Sequence, residues 1–212
     1  MRLRIAAALA TGAVVLAAPL AGQAHFILMQ PASWIQENQL GDPQKLGPCG
    51  GTTANPGTPT GAVTPVTGGE LLHVHVKETI YHPGHFRIAL SVLDRSELPP
   101  DPQDVTKDGP RGPISVSAKV DPDPRPPVLV DGIWDHHERP PREFETDVKI
   151  PNINCAHCSL QVIQFMEEHG VNPDGRFTYH HCADLQVTAN PKLPIDTAWP
   201  GQGKAKAKRA RR

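Results

Sequence analysis

Along this chain, hydrophobic and polar positions alternate far more often than they recur at helical spacing. Leu72, Val74 and Val76 share one face and His73 and His75 the other, so Leu71–Val76 reads as a half-buried strand. Tyr81-His82-Pro83-Gly84-His85 breaks that pattern with a Pro-Gly turn, and Phe86–Leu93 reads as the next strand, giving a hairpin with His82 in its turn. Short apolar runs at Phe26–Met29 and Phe144–Ile150 predict further strands. Cys158–Met166 is apolar apart from Gln161 and Gln164, as expected of a central strand buried on both faces, and Phe177–Thr188 predicts the last strand. Thr52–Gly69 is Thr, Pro and Gly and reads as a loop. Residues 94–143 are crowded with Pro and Asp and read as an insertion or a functional loop, with Val128–Val130 and Ile133-Trp134 too short to assign. About seven short strands and no long helical period predict a β-sandwich of immunoglobulin or fibronectin type with long Pro-rich loops.

The first 24 residues do not belong to that pattern. Arg2 and Arg4 precede an apolar run from Ile5 to Leu20, and small residues at Gly22 and Ala24 follow, the signature of a secretory signal peptide. Cleavage after Ala24 makes His25 the first residue of an exported chain, secreted or periplasmic. An amino-terminal histidine is a ready chelator, because its α-amine and ring Nδ1 can close on one metal ion. The expected organisation is therefore a leader over 1–24, one domain over 25–190 and a disordered tail over 191–212. That tail carries Lys204, Lys206, Lys208, Arg209, Arg211 and Arg212, so the small formal charge of −1 conceals an acidic body that holds all of the 22 Asp and Glu but Asp196. An acidic body argues against nucleic acid as a partner.

Four cysteines remain after the leader, and an even number in an exported chain reads as two disulfides. Cys155-Ala156-His157-Cys158 has neither a second CxxC nor a βαβ context to favour a zinc or redox motif. Of three possible connectivities, Cys49–Cys182 with Cys155–Cys158 is expected, tying the first long loop to the last strand and closing a small local ring. The alternative is Cys49–Cys155 with Cys158–Cys182.

Several pieces together resemble the lytic polysaccharide monooxygenases, secreted copper enzymes built on such a sandwich. They are His25-Phe26 behind the leader, Gly47-Pro48-Cys49-Gly50-Gly51, Tyr81-His82-Pro83-Gly84-His85-Phe86, Cys158-Ser159-Leu160-Gln161 and Tyr179-His180-His181-Cys182-Ala183-Asp184-Leu185. The resemblance implies a histidine brace: His25 gives its amine and ring, His82 the second imidazole, and Tyr179 faces the axial side of one copper ion. Three nitrogens in a T leave an open position and suit Cu(II). It implies oxidative cleavage of glycosidic bonds in chitin, cellulose or another glycan by a monomer fed by an external electron donor. Fungal copper-acquisition proteins share the brace and the Pro-Cys-Gly-Gly turn and bind copper without attacking sugars, so a non-enzymatic copper protein is the alternative. Gln161, Gln164, His180 and His181 are expected behind the ligands, and His85 as a substitute ligand across the turn from His82. His73 and His75 form an HxH pair on a strand face, and His136-His137 lies in the insertion. Phe177 stands where some members carry a hydrogen-bonding Gln, and no flat glycan-binding face is evident.

Overall fold

The computed structural model describes residues 25–139 and 142–202. The leader and the basic cluster of 203–212 lie outside the described residues. The chain is an all-β sandwich, as its alternating pattern predicts. Its strands are β1 (His25–Gln30), β2 (Val63–Thr67), β3 (Leu71–Ile80), β4 (Gly84–Ser91), β5 (Asp104–Gly109), β6 (Gly112–Ala118), β7 (Val128–His136), β8 (Glu143–Lys149), β9 (Cys155–Met166) and β10 (Thr178–Thr188). A three-stranded sheet runs β1-β3-β8 and a five-stranded sheet runs β2-β10-β9-β4-β7, while β5 and β6 form a separate hairpin. All pairings are antiparallel except that of β2 with β10.

The core lies between the two larger sheets. Phe26, Val74, Val76 and Val148 from the smaller sheet meet Phe86, Ile88, Leu160, Val162, Ala183 and Leu185 from the larger. Burying an aliphatic or aromatic side chain of this kind contributes about 1.5–3 kcal/mol. β9 is buried on both faces: outside the sheet the Pro48-Cys49 segment lies over it, with Gln161 donating to the Pro48 carbonyl and Cys49 packed with Leu98 and Trp34. Side chains alternate across each strand. Tyr179, His181 and Ala183 therefore turn to the core, while His180, Cys182 and Asp184 take the outer face.

Four expectations are corrected. β3 and β4 do not form a hairpin: they belong to different sheets, and the turn at 81–83 carries the chain across the end of the sandwich. Gly84 makes this crossing possible, since its φ of +147° is open to glycine and a Cβ there would collide with the Phe165 carbonyl. Residues 94–143 are not a loose insertion: they hold the β5–β6 hairpin and β7, the edge strand beside β4. The Thr52–Gly69 stretch contains β2, an edge strand that tolerates Pro65 because edge positions need fewer backbone donors. Part of the expected tail also folds back. Asn152 Nδ2 donates to the carbonyls of Asn190, Leu193 and Pro194, and Trp199 is buried in the core. The disulfides are Cys49–Cys182, with Cα atoms 5.0 Å apart, and Cys155–Cys158.

Candidate functional site

One end of the sandwich gathers His25, His82, His136, His169 and Tyr179 from elements distant in sequence. His25 opens β1 and pairs across the sheet with Ile80, the last residue of β3 before the turn that carries His82. Thr79 Oγ1 donates to the His25 carbonyl at 3.0 Å. The loop at 38–43 lies against this strand because Gly41 has φ +97° and a Cβ there would strike the Phe26 carbonyl. That approach brings Asp42 Oδ2 to 3.1 Å from His25 Nε2. The hydrogen bond from His25 holds the Asp42 carboxyl below its usual range, against the opposing effect of partial burial. Asp42 is thus a carboxylate that accepts, so His25 Nε2 carries the proton and the ring lone pair falls on Nδ1, the nitrogen nearer the main-chain amine.

His82 is held from behind. Its backbone N–H donates to Glu78 Oε1 at 3.1 Å, and the same oxygen accepts from Gln164 Nε2 at 2.8 Å and faces His136 Nε2 at 3.3 Å. Glu78 is 1% exposed, since alternation along β3 turns it inward beside Val74 and Val76. Burial pushes the His82 imidazole down to about 4, reinforced by the neighbouring rings of His169, His136 and His25. Burial works against the His136 proton too, but hydrogen bonds to Glu78 and to the Trp134 carbonyl outweigh it and raise His136 above the usual histidine value.

Tyr179 stands opposite Gln164 in the β9–β10 ladder, is fully buried, and meets the His25 ring edge-on with centroids 5.3 Å apart. Burial raises its phenol well above the usual range, with Asn172 beside its hydroxyl, so it remains neutral. His169 bridges the group: its ring lies 4.7 Å from that of His82 and 6.4 Å from that of Tyr179. Ser115 of β6 fastens this residue: its backbone N–H donates to the His169 carbonyl at 3.0 Å, and its Oγ accepts from the His169 N–H while donating to the Met166 carbonyl. The hairpin that looked like a loose insertion therefore sets one wall of the site. Beside it opens a cleft of about 460 Å³ lined by His82, His169, Asn172, Arg111, Ile114 and Lys45, among others. The low-titrating His82 imidazole, the His25 ring turned by Asp42 and a neutral phenol make a donor set suited to a borderline transition metal. Among the described residues, no group of three His, Cys, Asp or Glu side chains stands arranged to hold a metal ion. A brace has two such side chains and an amine.

Of the expected site residues, His25, His82 and Tyr179 come together, with Gln164 behind them. Gln161 does not join them: it faces the outer side of β9, where Nε2 donates to the Pro48 carbonyl at 2.8 Å. His85 is also on the outer face, against Phe165, with Asp131 and Asp135 as its charged neighbours. His180 is likewise outside the cluster, its Nε2 2.7 Å from Asp101 Oδ1. His181 supports the first strand instead. Its Nε2 donates to the Phe26 carbonyl at 3.0 Å, and its Nδ1 lies 3.1 Å from Glu37 Oε1. Asp42, Glu78 and His169 were not foreseen. Glu78 had a signal, a carboxylate at an inward position of an alternating strand, whereas Asp42 and His169 sit in stretches without a period. No family model and no curated protein matches the chain.

Proposed function

We propose that this chain, once cut after Ala24 and exported, is a mononuclear copper protein of the lytic polysaccharide monooxygenase type. The observation that carries the reading is the Asp42–His25 contact, which directs the ring lone pair to Nδ1 on the amine side, as a chelating amino-terminal histidine requires. The amine and Nδ1 of His25 and the imidazole of His82 are the proposed equatorial donors, with the Tyr179 ring against them. Burial keeps His82 unprotonated at neutral pH, the state in which an imidazole ligates. Copper held in this way would supply one-electron redox chemistry and an open position for an oxidant.

In the proposed reaction a C–H bond beside a glycosidic link becomes C–OH. The oxidant is hydrogen peroxide, reduced to water, or O₂ with two electrons and two protons from an external donor. The chain's own contribution is positioning. Glu78 fixes the His82 backbone, Gln164 holds Glu78, and the cleft beside His82 and His169 gives a glycan chain room to approach.

A second reading is favoured by His169. A third imidazole beside His82, and a cleft with no Trp, Tyr or Phe among its lining residues, suit a protein that holds copper without attacking sugar. The two readings separate in one experiment. Copper-loaded chain beginning at His25 is incubated with reductant and hydrogen peroxide on chitin, cellulose and other glycans, beside a free-copper control. Oxidised oligosaccharides that vanish in His82→Ala support the oxygenase. Tight copper loading with no product on any glycan supports the carrier.

A further inference from the structure

We propose that the outer face of the three-stranded sheet holds a separate site for a divalent transition metal of the zinc class, formed by His73, His75, Glu145 and Glu143. This inference does not depend on the copper reading. β3 and β8 are paired so that His73 lies opposite Asp147, His75 opposite Glu145 and Lys77 opposite Glu143. All six side chains leave the sheet on the side away from the core, because Val74 and Val76 turn inward.

Tautomers and distances set this cluster apart from an ordinary charged sheet face. His73 Nδ1 lies 3.0 Å from Asp147 Oδ1 and donates to it, so a neutral His73 presents its lone pair from Nε2. That Nε2 looks at Glu145 Oε2 from 3.6 Å, lone pair against carboxylate oxygen. A cation shared between them, a proton or a metal ion, makes the approach favourable. His75 repeats the situation. Its Nε2 is buried without a hydrogen-bond partner, 3.5 Å from Glu143 Oε2 and 3.8 Å from Glu145 Oε1. Glu145 thus turns one oxygen to each imidazole.

Zinc bonds of about 2.0–2.1 Å at tetrahedral angles set neighbouring ligand atoms about 3.3–3.4 Å apart, close to these separations and longer than a good hydrogen bond. The two rings are 6.5 Å apart, so closing the site requires a small swing of His73, which is 44% exposed and able to move. Asp147 then plays the orienting carboxylate commonly found behind a metal-bound histidine. Lys77 Nζ, 3.6 Å from Glu143 Oε1, competes for that carboxylate, leaving His73, His75 and Glu145 as the principal donors.

The test is calorimetric titration of Zn²⁺ into chain carrying His82→Ala, which disables the cluster at the end of the sandwich. One equivalent should bind. His73→Ala and His75→Ala should each abolish it, Glu145→Gln should do the same without changing shape, and Asp147→Asn should weaken it about tenfold. Substituted Co²⁺ should give the absorption of a tetrahedral ion, lost in His73→Ala. Because these side chains sit outside the core, melting curves of the variants without metal should match that of the parent. No zinc bound by the His82→Ala chain, or binding unchanged by both His73→Ala and Glu145→Gln, would overturn the proposal and leave the cluster as a charged sheet face.

Discussion

Removing Glu78 should damage this protein more than removing any other single carboxylate. The side chain is 1% exposed, and one of its oxygens serves the His82 N–H, Gln164 Nε2 and His136 Nε2. Glu78→Ala leaves the buried Gln164 and His136 donors and the part-buried His82 N–H without their acceptor, and removes the carboxylate that favours the charged form of His136. Breaking a buried pair by deleting one partner costs about 3–5 kcal/mol. For a chain of this size each kcal/mol moves the melting temperature by about 2–4 °C, so a drop of about 6–20 °C is expected. Glu78→Gln keeps the shape and one acceptor oxygen and should cost about 1–3 kcal/mol, the value of a hydrogen bond to a charged group. pH separates charge from shape. His136 is raised above the unfolded histidine value, so its contribution is fully present below about pH 6.5 and is lost as pH rises through its folded value. The stability gap between the parent and Glu78→Gln should therefore narrow as pH rises above about 6.5. Urea denaturation of parent and both variants at a series of pH values measures this. Glu78→Ala within about 0.5 kcal/mol of the parent, or a gap that is flat with pH, would refute the reasoning.

Two further perturbations have worked signs. Burial pushes Glu37 up to about 7, against hydrogen bonds from Ser33 and the Leu28 N–H, and pushes the neighbouring His181 down to about 3. Glu37 thus contributes stability that is present below about pH 4.5 and lost as pH rises through about 7, up to about 3 kcal/mol. Glu37→Gln, which removes the titrating carboxyl, should flatten that decline in urea denaturation between pH 5 and 8. Removing the Cys49–Cys182 bridge, which spans 133 residues, should cost about 5 kcal/mol by chain entropy against about 2 kcal/mol for Cys155–Cys158. Denaturation of the two double-alanine variants should rank them in that order.

The parts of the fold legible in the sequence are those where alternation coincides with burial on a sheet. β3, β9 and β10 are of this kind, and the Gln161 and Gln164 pair turns to opposite faces of β9 as the strand period requires. β5 and β6 were hidden because Asp104, Lys107 and Asp108 make an exposed hairpin look like a loop, and β2 because Pro65 argues against a strand anywhere but an edge. The Tyr81–Phe86 segment was readable as a turn, but whether it closes a hairpin or crosses between sheets depends on long-range pairing of β3 with β1 and β8. The site follows the same division. His25, His82 and Tyr179 stand on or next to strands, where sequence position translates into a place in space. Asp42 and His169 reach the cluster through the Gly41 approach and the Ser115 tether, which no local pattern announces.

Copper affinity as a function of the amino terminus tests the central claim most directly. Cu²⁺ is titrated by competition with a chelator into chain beginning at His25, into chain retaining Ala24, and into His82→Ala beginning at His25. A brace predicts one tightly bound equivalent in the first, and severe weakening in the second, where the amine has become an amide, and in the third, where one imidazole is gone. Equal affinity with and without Ala24 would contradict the account, whatever the protein does to glycans.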